Sequence, residues 1–583
     1  MSLRESEALR RPARIRLSAN TRPPDAARKS TVASLVIIGV LLFLVGYPIY
    51  LLFNMSLNVG DSAAIPAEEL GLGNYAMLPD HLEWFFNSII VALVSTTLAT
   101  LAGCLLCWIL YRTNVPGSKT LELLFTIPFP MGPLVGALAW STLAAPPSGL
   151  LNQFIANLTG RDFDFLNAYS LQGIIFVSAI FEAPIAILMI GAAMQRMDPS
   201  LEEASMVLGS GTARTARKVT MPLMIPAVSS AAIFIFLSTL GEFAIPALLG
   251  PQAQFYTVTT AIYVLFHGYP ANYALAAALG VTLTVIGGLI LLVYSRFIKG
   301  RSFSVISGRT YRPRKSVRLG RAGGVTLLGI EVLYALIACV LPVGLIAFAS
   351  MQSTNVLSWL PSDWTLANFK YVMFDLQTTR MAISNSLVLG VLTATVGVLI
   401  ASTAAWIVHR TRARGRMVLE QVVMIPQTIP KLIFVVGLLW MLLTVPLHIY
   451  GTLAAVLLAY VIVFLPLGYR SMAGVVSQVD RSLEEAARVS GAGWMRASVT
   501  VNLPLLRPGL IAAWLLLFMI SVREVTSSLF LSTAGTPILG PAIFNFWESG
   551  GLPRVSALVL VQAVVVCIAL LLSRRFTDKN MSL

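Results

Sequence analysis

The chain is poor in charge and in the residues that build reactive centres. Only 11% of its 583 residues are Asp, Glu, Lys or Arg, whereas 57% are hydrophobic. So little charge in a chain of this length excludes an ordinary soluble protein and indicates one that crosses a membrane many times. The formal net charge of +15 is concentrated in alternate loops. We therefore interpret it as membrane topology and expect no nucleic acid partner.

Cysteine and histidine are also scarce, with four residues of each. All four Cys lie inside apolar runs, and no two His have the spacing of metal ligands. Cys104-x-x-Cys107 resembles a redox motif, but inside an apolar run we interpret it as two small packing residues. The phosphate-loop pattern G-x-x-x-x-G-K-[ST] is absent. We expect no disulfide framework, metal site, cofactor, ATP site or catalytic residue in this chain.

Apolar runs long enough to span a bilayer are abundant. Twelve occur, at about 32–56, 85–110, 121–145, 171–194, 224–248, 273–296, 325–350, 383–408, 418–445, 451–470, 508–531 and 555–573. The loop 58–83 contains five acidic residues and no Lys or Arg, whereas 296–321 contains nine Lys or Arg and no acid. By the positive-inside rule, we predict that both termini are cytoplasmic.

The chain contains two related halves. Several residues recur 298 positions later, namely Asn87, Trp108, Arg112-Thr113, Gly117 and Glu122 as Asn385, Trp406, Arg410-Thr411, Gly415 and Glu420. Later repeats have an offset of 282, which indicates an insertion of 16 residues in the first half, in the external loop 146–170. Six spans per half is an even number, so the halves are expected to be parallel repeats. We predict a basic cytoplasmic tail (1–31), a six-helix domain (32–297), a basic cytoplasmic linker (298–322), a second six-helix domain (323–575) and a cytoplasmic tail (576–583).

A polar cytoplasmic segment is repeated at the 282 offset without insertion. One copy starts at Asp198 (DPSLEEASMVLG) and the other at Asp480 (DRSLEEAARVSG), and each is followed by nine residues and a V-x-x-P sequence. The Ser-x-x-Glu spacing predicts a capping box, and the Gly predicts a left-handed helix end. We expect a short helix with an apolar stripe and an exposed acidic pair. Such a helix is also suited to the lipid interface, but the fixed Gly and Pro favour a docking surface.

This pattern (Glu-Ala-Ala, three residues, Gly, nine residues, Ile-x-Leu-Pro) resembles the signature of permease subunits of bacterial ATP-binding-cassette importers. Ser205 replaces the third motif residue in the first copy, and Val replaces Ile in both. The resemblance covers both halves but not the basic N-terminal tail. It implies an all-α integral membrane protein of the bacterial inner membrane. Its fold would be the type I importer permease fold, with twelve transmembrane helices as two parallel six-helix repeats.

The resemblance also implies partners. Each repeated loop would dock on one of two copies of a separate ATPase, a substrate-binding protein would act outside the membrane, and membrane lipid would surround the spans. The loop residues implied in coupling are Glu202, Glu203, Ala204, Gly209, Pro222, Glu484, Glu485, Ala486, Gly491 and Pro504. A twelve-helix secondary transporter is the rival class, but it needs no duplicated docking loop. A channel or scaffold does not explain the signature.

The cargo is less well defined by the sequence. The segment from Glu242 to Gly250 (EFAIPALLG) resembles the ferric-iron branch of these permeases. Permeases for thiamine, 2-aminoethylphosphonate and polyamines are similar at this level. We therefore predict transport of ferric iron and retain these three compounds as further candidate cargoes.

Two acidic residues occupy matching positions in apolar sequence. Glu242 and Glu524 lie at the 282 offset, in the predicted fifth span of each half. Ionisable groups within a membrane are costly and often functional. We interpret the pair either as lining a central pathway or as packing residues, with Glu524 paired to Arg523. Glu182 has no acidic counterpart, and we predict a structural role for it.

Prolines concentrate in the third span and its counterpart, the ninth. Pro128, Pro130 and Pro133 lie in one, and Pro426 and Pro430 lie in the other. Proline removes a helical hydrogen bond and clashes with the preceding turn, so these spans are expected to break or kink. The breaks either line a cavity or are passive kinks.

Overall fold

A computed structural model describes residues 24–61, 64–146, 148–160, 166–198, 200–298, 317, 320–355, 364–411 and 413–581. Most of the predicted N-terminal tail and most of the predicted linker lie outside these ranges. Extended backbone pairs only in isolated bridges within the described residues, and the regular elements there are helices joined by turns and loops. The helix α27 continues to Met581, through most of the predicted C-terminal tail.

Fourteen helices make up the described part of the first half. They are α1 (Pro24–Ser56), α2 (Gly73–Ala76), α3 (Leu82–Arg112), α4 (Ser118–Thr126), α5 (Pro128–Met131), α6 (Pro133–Leu143), α7 (Leu150–Thr159), α8 (Leu171–Arg196), α9 (Ser200–Val207), α10 (Thr212–Thr215), α11 (Met221–Leu240), α12 (Ala244–Leu249), α13 (Val258–His267) and α14 (Tyr273–Ile298). A π-helical turn, Ala216–Thr220, joins α10 to α11.

Thirteen helices make up the described residues of the second half. They are α15 (Arg321–Ala335), α16 (Leu341–Ser350), α17 (Ala367–Lys370), α18 (Gln377–Arg410), α19 (Arg416–Met424), α20 (Lys431–Thr444), α21 (Leu453–Gln478), α22 (Arg481–Val489), α23 (Trp494–Ala497), α24 (Leu503–Val522), α25 (Thr526–Leu529), α26 (Leu539–Glu548) and α27 (Leu552–Met581). A π-helical turn, Ser498–Asn502, lies before α24, as its counterpart lies before α11.

The number of spans agrees with the sequence prediction when bent helices are counted as single spans. In the described part of the chain, ten helical segments are long and apolar enough to cross a membrane. Two further pairs are bent by 99° after Met131 and by 107° after Thr428. Counting each pair once gives twelve spans. The bends lie at the predicted prolines, which confirms that proline breaks these helices. At the first break, Gly132 adopts a φ of 87°, which a glycine tolerates readily.

The fifth span of each half ends earlier in the sequence than predicted. Helix α11 ends at Leu240, and α24 ends at Val522, so the predicted continuous runs 224–248 and 508–531 are wrong. A carboxylate ends each helix by occupying the first free N–H groups of the next one. The Ala244 N–H donates to Glu242 Oε1 at 2.9 Å, and the Ser527 N–H donates to Glu524 Oε1 at 3.0 Å.

The first span of each half packs against the other half. Helix α1 lies along α20 and α19, while α16 lies along α6 and α15 contacts α4. One buried apolar core is therefore continuous across both halves, and Phe243, Trp440 and Phe544 all belong to it. The predicted insertion at 146–170 contains α7, for which the second half has no equivalent in the described stretch between α20 and α21.

The exchange of first spans depends on a close contact at Gly437. A Cβ atom at Gly437 of α20 would lie 2.5 Å from the Pro48 carbonyl oxygen of α1. We expect Gly437→Ala to push α1 away and to destabilise the protein by about 1–3 kcal/mol, as overpacked cores do. Thermal unfolding of the purified protein in detergent measures the effect.

Gly474→Ala is the matched control, because Gly474 also lies inside a helix and a Cβ there meets nothing within 4 Å. It should be neutral or stabilise by up to about 1 kcal/mol through helix propensity. Equal unfolding temperatures for the two variants would contradict the contact.

Candidate functional site

The two repeated loops fold in the same way. Helices α9 and α22 begin beside Asp198 and Asp480, whose carboxylates accept the N–H groups of Ser200 and Ser482 at 2.9 Å. The aspartate that precedes the predicted Ser-x-x-Glu box therefore makes a capping contact at each N-terminus.

Both helices end as predicted, at a glycine with left-handed backbone. The φ angle is 83° at Gly209 and 88° at Gly491. The Ser210 N–H donates to the Ser205 carbonyl at 3.1 Å, and the Ala492 N–H donates to the Ala487 carbonyl at 3.0 Å. These are the bonds that close a Schellman motif, which turns the chain sharply away from the helix axis.

The predicted exposed acidic pairs are wrong in their first member. Glu202 is only 2% exposed, and its Oε1 lies 3.3 Å from Arg112 Nε and accepts the Thr220 hydroxyl at 2.6 Å. Glu484, its counterpart, is 6% exposed. Glu203 is half-buried, and Glu485 is exposed. One carboxylate of each pair therefore faces the protein, and for Glu202 the buried partners are Arg112 and Thr220.

Arg112 and Arg410 tie the loops to the membrane helices. Arg112 ends α3 and also donates from Nη2 to the Met194 carbonyl of α8 at 3.2 Å. Arg410 ends α18 and donates in the same way to the Val476 carbonyl of α21 at 2.7 Å. The sequence repeat included both arginines, but their role was not predicted. A basic residue repeated at the end of an apolar run was the available signal.

The outer faces of the loops are apolar and uncovered in this single chain. Val207, Leu208 and Val489 are 86%, 85% and 89% exposed. Leu201 and Leu483 are about half exposed, and Ala204 and Ala486 are exposed between them. Exposed apolar patches of this kind mark interaction sites.

The prolines of the repeated motif begin the next long helices. Pro222 and Pro504 occupy the first turns of α11 and α24, where a missing N–H costs no hydrogen bond. Each follows a π-helical turn whose last residue, Thr220 or Asn502, is buried. The motif thus fixes both the loop and the direction in which the next span leaves it.

At the far ends of α11 and α24, charged side chains of both halves form a partly buried cluster. Lys431 Nζ, at the start of α20, lies 3.3 Å from Glu524 Oε2. Glu242 interacts electrostatically with both Lys431 and Glu524. The two glutamates singled out in the sequence therefore share an electrostatic environment with Lys431, a residue that was not predicted as part of a site.

The packing interpretation had predicted a close pair between Arg523 and Glu524. This close pair is not formed. The Arg523 guanidinium crosses to the first half, where it donates to the Phe129 carbonyl at the break of the third span. It also lies 4.7 Å from the centre of the Phe129 ring, and its side chain packs against Gly132. Arg523 therefore satisfies a backbone group that the proline break has freed.

Glu182, for which a structural role was predicted, also belongs to this cluster. It is 6% exposed and interacts electrostatically with Glu242, Arg523 and Lys431. Its Oε1 accepts the Ser238 hydroxyl at 3.1 Å. The repeat could not indicate this role, because the counterpart position in the second half is not acidic.

Aromatic rings of both halves meet next to the charged cluster, on the side away from the repeated loops. The Phe243 ring, adjacent to Glu242, lies 5.9 Å from Phe544, and Tyr263 lies 6.0 Å from Phe544 and 6.2 Å from Phe530. These contacts close the interface between the halves beyond the carboxylates.

Twelve spans in two halves, with a docking-type loop in each half, define the permease component of a membrane transporter. Residues 397–579 match the model of the family described as "binding-protein-dependent transport system inner membrane component". The chain is an inner-membrane permease of an ATP-binding-cassette importer, a transport component that is not itself a catalyst. Permeases of this class act with an ATPase and a substrate-binding protein.

Similar curated proteins align over most of the chain. A ferric transport system permease of Actinobacillus pleuropneumoniae is 27% identical over 89% of this chain and 74% of its own length. A putative ferric transport system permease of Haemophilus influenzae is 27% identical over 88% of this chain and 79% of its own length. A spermidine/putrescine permease of the same species is 28% identical over 38% of this chain and 85% of its own length.

The buried contact between Glu202 and Arg112 predicts a specific local defect. Glu202→Gln would leave the Arg112 charge buried beside a neutral group, and removing one partner of a buried pair typically costs about 3–5 kcal/mol. We expect faster hydrogen exchange across 200–222, measured by mass spectrometry on the purified protein. Glu485→Gln, at the exposed position of the other loop, should stay within about 0.5 kcal/mol. Unchanged exchange in Glu202→Gln would argue against the anchor.

Proposed function

We propose that this chain is the permease of a ferric-iron importer and that it supplies both halves of the pathway in one polypeptide. The long alignments with two permeases named for ferric transport support this cargo. Polyamine is the second candidate, because a relative named for spermidine and putrescine matches over 38% of the chain. Both candidates are cations. Thiamine and 2-aminoethylphosphonate are the third and fourth candidates, on sequence resemblance alone.

The observation that supports the coupling function most strongly is the backbone geometry that the two repeated loops share, with an aspartate at the start and a left-handed glycine at the end of each helix. Each presents exposed apolar side chains beside an acidic residue, Glu203 or Glu485. A buried arginine ties each loop to a long span: Arg112 contacts Glu202, and Arg410 donates to the Val479 carbonyl, next to Asp480. Two copies of a separate ATPase would each receive one loop in a cleft with a basic rim. Closure of the ATPases would then move the ends of α3 and α18 through Arg112 and Arg410.

The proposed topology follows from the charge distribution. The tail 1–31, the linker 298–322, the tail 576–583 and both repeated loops lie in the cytoplasm, and the six-helix domains extend over 32–297 and 323–575. The basic composition of 296–321 and the acidic composition of 58–83 support this orientation. A binding protein would deliver its cargo on the opposite side, where α7 lies.

Glu242 and Glu524 would line the pathway between the halves. Both stand at breaks of fifth spans, where the backbone is not continuous helix, and irregular backbone at membrane depth is tolerated in cavity walls and protein interfaces. Carboxylates in a medium of low dielectric attract a passing cation strongly. The aromatic contacts beyond them would form the gate that opens towards the binding protein.

Cargo is tested by uptake of radiolabelled ferric iron in a deletion strain that carries the gene on a plasmid. We expect the wild-type gene to restore uptake. Glu242→Gln and Glu524→Gln should reduce uptake about tenfold if each carboxylate lowers the barrier by about 1.4 kcal/mol. Glu68→Gln, in an exposed external loop, is the control. Normal iron uptake in the deletion strain, with failure to take up polyamine, thiamine or a phosphonate, would refute the iron assignment.

Coupling is tested by substituting the glycines of the repeated loops. Gly209→Val and Gly491→Val force a β-branched residue into left-handed backbone, at a cost of about 1–2 kcal/mol, and misdirect the loop helix. Glu203→Lys and Glu485→Lys place positive charge against the proposed basic rim. All four variants should insert normally but lose pull-down of the ATPase and ATP-driven transport.

Two neighbouring glycines provide matched controls for the valine substitutions. Gly211 and Gly493 lie in the same loops without positive φ, and a Cβ at either position meets nothing within 4 Å. Gly211→Val and Gly493→Val should therefore retain pull-down and transport. Wild-type pull-down of the ATPase and wild-type transport in all four test variants would refute the coupling proposal.

A further inference from the structure

The charged cluster is asymmetric between the halves. The first half contributes only carboxylates, Glu182 and Glu242, whereas both cations, Lys431 and Arg523, come from the second half together with Glu524. At the corresponding repeat positions, the first half has Pro133 in place of Lys431 and Gly241 in place of Arg523. Attraction between the halves at this level therefore depends on cations supplied from one side.

The two cations are held very differently. Arg523 is fixed by the Phe129 carbonyl, by the Phe129 ring and by its packing on Gly132. The Lys431 side chain is 49% exposed, although its partner Glu524 is 6% exposed. Its other contact is the Phe464 ring, 5.6 Å from Nζ. An ammonium on a flexible four-carbon stem changes partners easily, whereas a guanidinium held at several points does not. Lys431 is therefore the mobile cation of the cluster.

One carboxylate oxygen of the cluster accepts no hydrogen bond from the described residues. Glu182 Oε2 is buried and has no hydrogen-bond partner in the described part of the chain, although Glu182 interacts with Glu242 and Lys431. Leaving a buried acceptor unsatisfied is costly, so such an atom points to a donor or cation that visits the site. No group of three Asp, Glu, His or Cys residues in the described ranges is arranged to hold a metal ion. The donor or cation that enters the site is therefore bound transiently.

We propose that Lys431 is a tethered counter-ion of the pathway, which neutralises Glu242 and Glu524 when no cargo is present and which a cationic cargo displaces. This inference rests on the proposed function, because it assumes that these carboxylates line the pathway. Displacement by cargo separates Lys431 from the carboxylates of the first half and so lowers the cost of parting the halves. In the absence of cargo, the ammonium repels other cations and keeps the pathway tight.

The test uses the complete complex of permease and ATPase reconstituted in vesicles. Two quantities are measured: ATP hydrolysis without binding protein, and loss of radiolabelled ferric iron from preloaded vesicles without ATP. Lys431→Met should raise both by at least about fivefold, the lower end of typical coupling factors. Lys431→Arg keeps the charge and should restore most of the wild-type behaviour. Lys370→Met, at an exposed lysine of α17, is the matched control and should leave both unchanged.

The outcomes separate this inference from the choice of cargo. Tight vesicles and wild-type basal hydrolysis in Lys431→Met would overturn the counter-ion role, and so would a Lys431→Arg variant as leaky as Lys431→Met. If Lys431→Met does not assemble, Lys431→Gln replaces it, because it keeps a polar side chain. If the wild-type complex transports spermidine but not iron, the iron proposal fails, and the same leak measurement with spermidine still decides the role of Lys431.

Discussion

A bent helix inside a membrane leaves backbone groups that lipid cannot satisfy, and the arrangement of the two halves depends on how these groups find partners. The first bend frees the Phe129 carbonyl, and Arg523 of the other half reaches it. At the second bend, Pro430 packs so closely on Gly241 that a Cβ there would lie 2.9 Å away. Each half thus closes the break in the other. The charged cluster lies beside these two bends, where backbone groups freed by the bends need polar partners.

The same constraint explains why the fifth spans stop short. A carboxylate that accepts the first free N–H of a following helix replaces a hydrogen bond that a continuous helix would have made. Glu242 and Glu524 therefore have two roles: each caps a helix through one oxygen, and each carries a charge that interacts with Lys431. Substituting either residue should affect local backbone order as well as charge, and glutamine is the suitable replacement because it keeps an acceptor for the cap.

The sequence predicted those features that depend on neighbouring residues or that recur in both halves. The helical spans follow from apolar length, the bends from proline, and the left-handed loop ends from Gly209 and Gly491. The burial of Glu202 was not predicted, because it depends on Arg112, which is distant in the sequence. Lys431 was missed, and the contact of Arg523 with Phe129 was not predicted, for a related reason. They have no counterpart in the first half, and their partners lie on other helices, so neither periodicity nor the repeat marks them.

The exchange of first spans has a consequence for how such a permease is made. Because α1 covers the bend region of the second half and α15 and α16 cover that of the first, neither half is complete until the other has been synthesised. If the halves were separate polypeptides, each would expose an uncovered groove while it searched the bilayer for its partner. A covalent linker keeps the second half at a high effective concentration near the first and fixes the ratio of the halves at one to one. A translation product interrupted after the first half therefore has an uncovered surface along α6 and an α1 helix without its partner α20.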